Sequence, residues 1–141
     1  MSATTRMLQS DPHLREKLEQ RQSDLIQKAQ QLAKGLRDDK ERQLRNVQAI
    51  AEQGRSWTLV ELFIRYQAAR KQFDPGWAEQ AVRELGALRN MAQAVVAEAG
   101  QEGSSLVDDV HTELVKRVLG YTVWWHVWEV KGKANEKGER R

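Results

Sequence analysis

Apolar residues recur at Leu14, Leu18, Leu25, Ala29, Leu32 and Leu36, at spacings of three, four and seven that trace one stripe along a long helix. Asp11 before Pro12 supplies its start, a capping carboxylate followed by proline at the first helical position. Gly35 and the pair Asp38-Asp39 supply its end. A second stripe of Leu44, Val47, Ile50 and Ala51 predicts a helix from about Asp39 to Gln53, stopped by Gly54. Thr58 to Glu61 has the form of a capping box, so a third helix is predicted to start there, bury Leu59, Leu62, Phe63 and Tyr66, and end near Phe73. Asp74-Pro75 repeats the cap-and-proline start and opens a fourth helix, running to Gly100 through Trp77, Ala81, Leu85, Leu88, Val95 and Val96. After the loop Gln101-Glu102-Gly103-Ser104, the stretch Ser105 to Asp108 resembles another capping signal, for a fifth helix ending at Gly132.

That last helix contains the most apolar stretch of the chain, Val118 to Val130, with three of the five tryptophans. It is shorter than the roughly 20 apolar residues that a bilayer crossing needs, so a helical core or a partner protein is its expected destination. Helical phase puts Leu106, Val110, Leu114, Val118, Tyr121, Trp125 and Trp128 on one broad side. Val123, Trp124 and Val127 fall elsewhere, which points to a contact outside the monomer. Tyr121 to Val130 is also rich in β-branched and aromatic residues, so a strand is the competing reading of that segment.

The length of 141 residues suits one domain with a real core. Cysteine is absent, which excludes disulfides, thiolate nucleophiles and sulfur-based zinc sites. The first ten residues lack the apolar core of a signal peptide, and a cytoplasmic protein is the plain expectation. The net charge is only +3, and the segment from Lys131 to Arg141, with five bases and two acids, accounts for all of it. Nucleic-acid binding by the folded part would therefore need a local patch.

The histidines, His13, His111 and His126, do not fall in a metal-binding spacing, and no glycine-rich phosphate loop is present. Asp38-Asp39 and Asp108-Asp109 stand where helix N-termini favour negative charge. His126, between tryptophans and valines, is expected to satisfy a hydrogen bond, with Glu129 as its partner. No metal site, cofactor or catalytic constellation is predicted.

The cations are more informative. Arg37, Lys40, Arg42 and Arg45 cluster at the start of the second helix, with Gln43 and Asn46 interleaved. Arg42, Arg45 and Asn46 share a helix face, a geometry that can follow a phosphate backbone. Arg65, Arg70 and Lys71 form a second group where no acid occurs between Glu61 and Asp74. The competing reading is a solvated face with ordinary ion pairs such as Glu41 to Arg45. Trp57, Tyr66 and Phe73 are the aromatics near enough to stack on bases, and each also fits a core position.

Gln31-Leu32-Ala33-Lys34-Gly35-Leu36 followed by Arg42-Gln43-Leu44-Arg45-Asn46-Val47 resembles the N-terminal half of the small helical subunit of type III CRISPR effector complexes. The run Tyr121-Thr122-Val123-Trp124-Trp125-His126 is similar to the aromatic, histidine-containing helix that ends members of that family. The resemblance implies a non-catalytic subunit that stacks in several copies along the effector and contacts guide RNA and target strands through their phosphates. Nuclease activity would belong to other subunits.

Taken together, the expected fold is all-α, a compact bundle of about five helices over residues 1–132 with a disordered basic tail at 133–141. Arg37, Lys40, Arg42, Arg45, Arg65, Arg70 and Lys71 are the expected nucleic-acid contacts. Tyr121, Trp124, Trp125 and Trp128 are the expected interface to other subunits or to copies of the same chain. The alternative function is a helical homo-oligomeric adaptor without nucleic-acid binding. No membrane association is expected.

Overall fold

In the computed structural model, which describes residues 11–54 and 56–132, the capping signals at both Asp-Pro pairs operate. Asp11 accepts the Leu14 N–H at 3.0 Å and opens α1, Pro12–Glu19. Asp74 accepts the Trp77 N–H at 3.2 Å and opens α5, Pro75–Glu98. Between them lie α2 (Gln22–Lys34), α3 (Glu41–Glu52) and α4 (Trp57–Ala69), and α6 follows over Ser104–Val127. No strand occurs among the described residues, and Tyr121 to Val130 is helical. Residues 133–141, the expected tail, lie outside the described residues, as do residues 1–10 of the expected domain.

The single long first helix is corrected to two. Its apolar stripe is continuous in sequence, but at Gln20 and Arg21 the ladder tightens, Arg21 N–H bonding back to Leu18 O at 3.0 Å, and α1 leaves α2 to pack on α5. Leu14 and Leu18 are thus buried on α1, and Leu25, Ala29 and Leu32 on α2.

The start and the phase of α4 also differ from expectation. Ser56, not Thr58, is the cap, its Oγ accepting the Leu59 N–H at 3.2 Å. The inward face is Val60, Ile64 and Gln67, while Leu62 is 64% and Tyr66 49% exposed and Phe63 is half-buried. Apolar residues surround this helix so evenly that periodicity does not select a face. At the start of α6 the Ser105 signal is unused: the cap is Gly103 at φ 120°, without a side-chain bond.

Helix α6 is the centre of the molecule, packed by α2, α3 and α5, with α4 lying between α3 and α5. A helix enclosed on several sides is apolar on several sides. Val123 is therefore buried and Val127 packs against the core, which corrects their expected role outside the monomer. The α-helical ladder ends at Val127 and continues as one π turn, Trp128–Gly132.

Cross-contacts fix the directions. Trp125 Nε1–H donates to Ile26 O at 3.0 Å, and Tyr121 lies at Gln22, so α2 runs parallel to α6. Lys116 pairs with Glu52 at 3.8 Å and His126 meets Lys40, so α3 runs antiparallel. His111 meets Leu85 O and Arg89 pairs with Asp108, so α5 is antiparallel as well. The C-termini of α2, α4 and α6 and the N-termini of α3 and α5 consequently share one pole of the bundle. Trp77 secures it, its Nε1–H donating to Leu32 O at 2.9 Å in the core.

Candidate nucleic-acid interface

Both predicted basic groups reach this pole, because Gln43 on α3 donates to Gln72 after α4 at 3.1 Å and holds the two helix ends together. Arg37, Lys40 and Lys71 line one cleft of about 350 Å³ between the α2–α3 loop and the α4–α5 turn. Arg42 and Arg45 line the adjoining shallow depression with Gln43 and Asn46, and with the carboxylates Asp39 and Glu41. Arg70 lies over the Tyr66 ring, 5.5 Å from its centroid, and donates to the Tyr66 hydroxyl at 3.1 Å.

Their partners separate them. Among the described residues, Arg37, Lys40, Arg42, Arg70 and Lys71 form no ion pair. Arg45 bonds Glu41 at 2.8 Å, and Lys131 reaches the same carboxylate at 2.7 Å. Those two hydrogen bonds, Lys131 first, lower the Glu41 pKa below the ordinary carboxylate value. Arg65 does not join the group: it lies between Glu79 and Glu61, and the hydrogen bond to Glu79, then that to Glu61, raise its pKa. Its charge is balanced within the fold, since Glu79 lies on α5 across the helix pair.

His126 organises the loop that carries Arg37 and Lys40. Buried at the end of α6, its Nε2 accepts the Lys40 backbone N–H at 2.7 Å, supplying an acceptor for the free N-terminus of α3. The ring is therefore neutral with its proton on Nδ1. Its expected partner, Glu129, is replaced by a backbone group distant in sequence. Desolvation lowers the His126 pKa, against the opposing charges of Asp39, Glu129 and Glu41. Asp39, the residue before the Lys40 cap, accepts the Glu41 N–H at 3.1 Å, which puts its negative charge at the α3 N-terminus as expected.

The predicted aromatic interface divides. Trp124 is 73% and Trp128 61% exposed, whereas Trp125 is half-buried and tied to Ile26. With Tyr121, these residues form an apolar groove of about 360 Å³ against Gln22 and Ile26 of α2. The α2 side of the groove carried no signal in the sequence. Of the other stacking candidates, Trp57 is half-buried against His111, ring centroids 5.6 Å apart, and Phe73 is buried against Trp77, centroids 4.7 Å apart. No helix among the described residues is long and apolar enough to cross a membrane.

No family model matches the chain, and no curated protein or solved structure is significantly similar to it.

Proposed function

We propose that this chain is a non-catalytic, nucleic-acid-binding subunit of a CRISPR RNA-guided effector ribonucleoprotein in the cytoplasm. Its basic pole contacts guide and target strands through their phosphates, and its aromatic groove contacts neighbouring subunits or further copies. The observation that carries this reading is the convergence of Arg37, Lys40, Arg42, Arg70 and Lys71 at one end of the bundle, none of them in an ion pair among the described residues. Cations paired within a fold have little left to offer a phosphate, and among the described residues these five are not paired. Contacts to phosphates position a protein on a strand without reading its sequence. The resemblance of the Gln31 to Leu36, Arg42 to Val47 and Tyr121 to His126 segments to the type III small subunit is what supports a CRISPR effector as the complex.

The test is affinity purification of the tagged chain from its native host in mild salt. A short RNA of uniform, repeat-derived length together with larger subunits is expected. Recovery of the chain alone as a clean oligomer, without nucleic acid, overturns the proposal.

That outcome would favour the second reading, a homo-oligomeric adaptor. Its specific support is the exposure of Trp124 and Trp128 beside one groove, since single exposed apolar residues are ordinary but a contiguous aromatic patch marks a contact surface.

A further inference from the structure

Helices α3 and α5 both close on a glycine in the left-handed region, Gly54 at φ 67° and Gly100 at φ 75°. Helix α4 closes in the same kind of turn as α5. Lys71 N–H bonds Ala68 O at 3.0 Å and Gln72 N–H bonds Gln67 O at 2.9 Å, matching Gly100 to Ala97 and Gln101 to Val96. Here, however, the left-handed residue is a lysine, at φ 62°. A β-carbon crowds the backbone in this conformation, and glycine is the residue that such positions favour. The backbone conformation alone gives no reason for a lysine at this point. One favourable term is its charge at a helix C-terminus, which salt screens and which Arg70 already provides.

The side chain lies where its charge has company. Lys71 lines the same cleft as Arg37 and Lys40, and Leu36 and Pro75 give the cleft apolar surface. Of the two carboxylates in the lining, Asp74 is engaged in capping α5, and Asp38 remains as an acceptor. Cations for phosphate oxygens, a carboxylate for hydroxyl or amino donors and apolar surface for a ring match the chemistry of a nucleotide. The volume of about 350 Å³ falls at the lower end of small-molecule pockets, roughly 300–1,000 Å³, more space than a lone phosphate fills.

We infer that this cleft seats one nucleotide of a bound single strand, its phosphate held by Arg37, Lys40 and Lys71 and its base resting on Leu36 and Pro75. Lys71 is held in a disfavoured backbone conformation for that contact. The inference rests on the strand-binding reading above and gives it a specific seat.

The experiment compares wild type, Lys71→Gly and Lys71→Arg, with Arg42→Ala as a reference variant. Binding of a fluorescein-labelled single-stranded RNA is measured across a salt series, and thermal unfolding is measured in 1 M salt, where the helix-dipole interaction is screened. Lys71→Gly is expected to melt about 3 °C higher than wild type. It is also expected to bind more weakly, with the slope of log K against log salt reduced by about 0.7, while Lys71→Arg keeps the slope. A Lys71→Gly protein that melts lower, or that binds RNA as wild type does while Arg42→Ala weakens binding, overturns the nucleotide seat and leaves the strand-binding reading standing. A wild type that binds no RNA overturns both.

Discussion

Trp77 lies so close to Gly35 that a β-carbon on the glycine would stand 2.9 Å from the indole Cδ1. The indole must come this near to donate to Leu32 O, one turn back on α2. Gly35 has ordinary right-handed backbone angles, so what its position demands is space. Alanine is the better helix former by about 1 kcal/mol, yet overpacking a filled site costs about 1–3 kcal/mol. Gly35→Ala is therefore expected to lower stability, read by denaturant unfolding. A stabilised variant would show that the indole can move aside.

The two buried histidines make stability depend on pH. His126 accepts from Lys40 and is bound as the neutral form, whereas His111 donates from Nε2 to Leu85 O at 2.9 Å, a bond that favours the charged ring but is outweighed by its burial. Burial is the main cause that lowers both pKa values. The unfolded chain takes up protons first as pH falls, so the stability is fully present above the unfolded pKa of about 6.5. Below that it declines, by up to about 1.4 kcal/mol per pH unit for each histidine, until the folded pKa values are passed. Melting temperatures at pH 7.5 and 5.5 should differ, the acidic value being lower. A flat profile would mean that neither ring resists protonation.

Arg65 and Arg70 belong to the same sequence cluster but should behave oppositely. Arg65 is neutralised by Glu61 and Glu79, while Arg70 bonds the Tyr66 hydroxyl and forms no ion pair among the described residues. Arg65→Ala is expected to leave RNA affinity and its salt slope unchanged. Arg70→Ala should weaken binding and lower the slope by about 0.7, with salt titration of a labelled strand as the assay. Equal effects would make net charge, not the pole, the source of binding.

Trp124 and Trp125 are adjacent and should separate association from folding. Trp124→Ala removes a mostly exposed ring, expected to change stability by less than about 0.5 kcal/mol while reducing self-association seen by light scattering. Trp125→Ala removes packing and the bond to Ile26 O, expected to destabilise by about 3 kcal/mol. Reversal of the two phenotypes would exchange their assignments to core and interface.

The capping chemistry at Asp11 and Asp74, the helical content and the core of α5 were legible because each is local: a carboxylate, a proline and a repeat of three and four. What was not legible depends on neighbours distant in sequence. Nothing in the stripe from Leu14 to Leu36 marks the turn at Arg21, since α5 sets the direction of α1. The phase of α4 was misread because leucines and aromatics surround it. Val123 was assigned outward because only the assembled bundle shows α6 to be enclosed. The basic group was found by composition, but the pairing of Arg65 with Glu79 on another helix was not visible. One signal could have been read: a helix ending at Lys71 without the glycine that Gly54 and Gly100 provide elsewhere.

The uneven placement of the five tryptophans gives the chain two optical channels. Trp77 is enclosed and Trp57 and Trp125 are half-buried, whereas Trp124 and Trp128 stand in water at a single groove. A soluble quencher therefore reaches one pair of indoles long before the others. Covering the groove should restore the accessible emission without disturbing the inner one, whereas unfolding should shift the inner emission to the red. A single fluorescence titration, with quencher and without, can thus report the arrival of a neighbour separately from the loss of the fold.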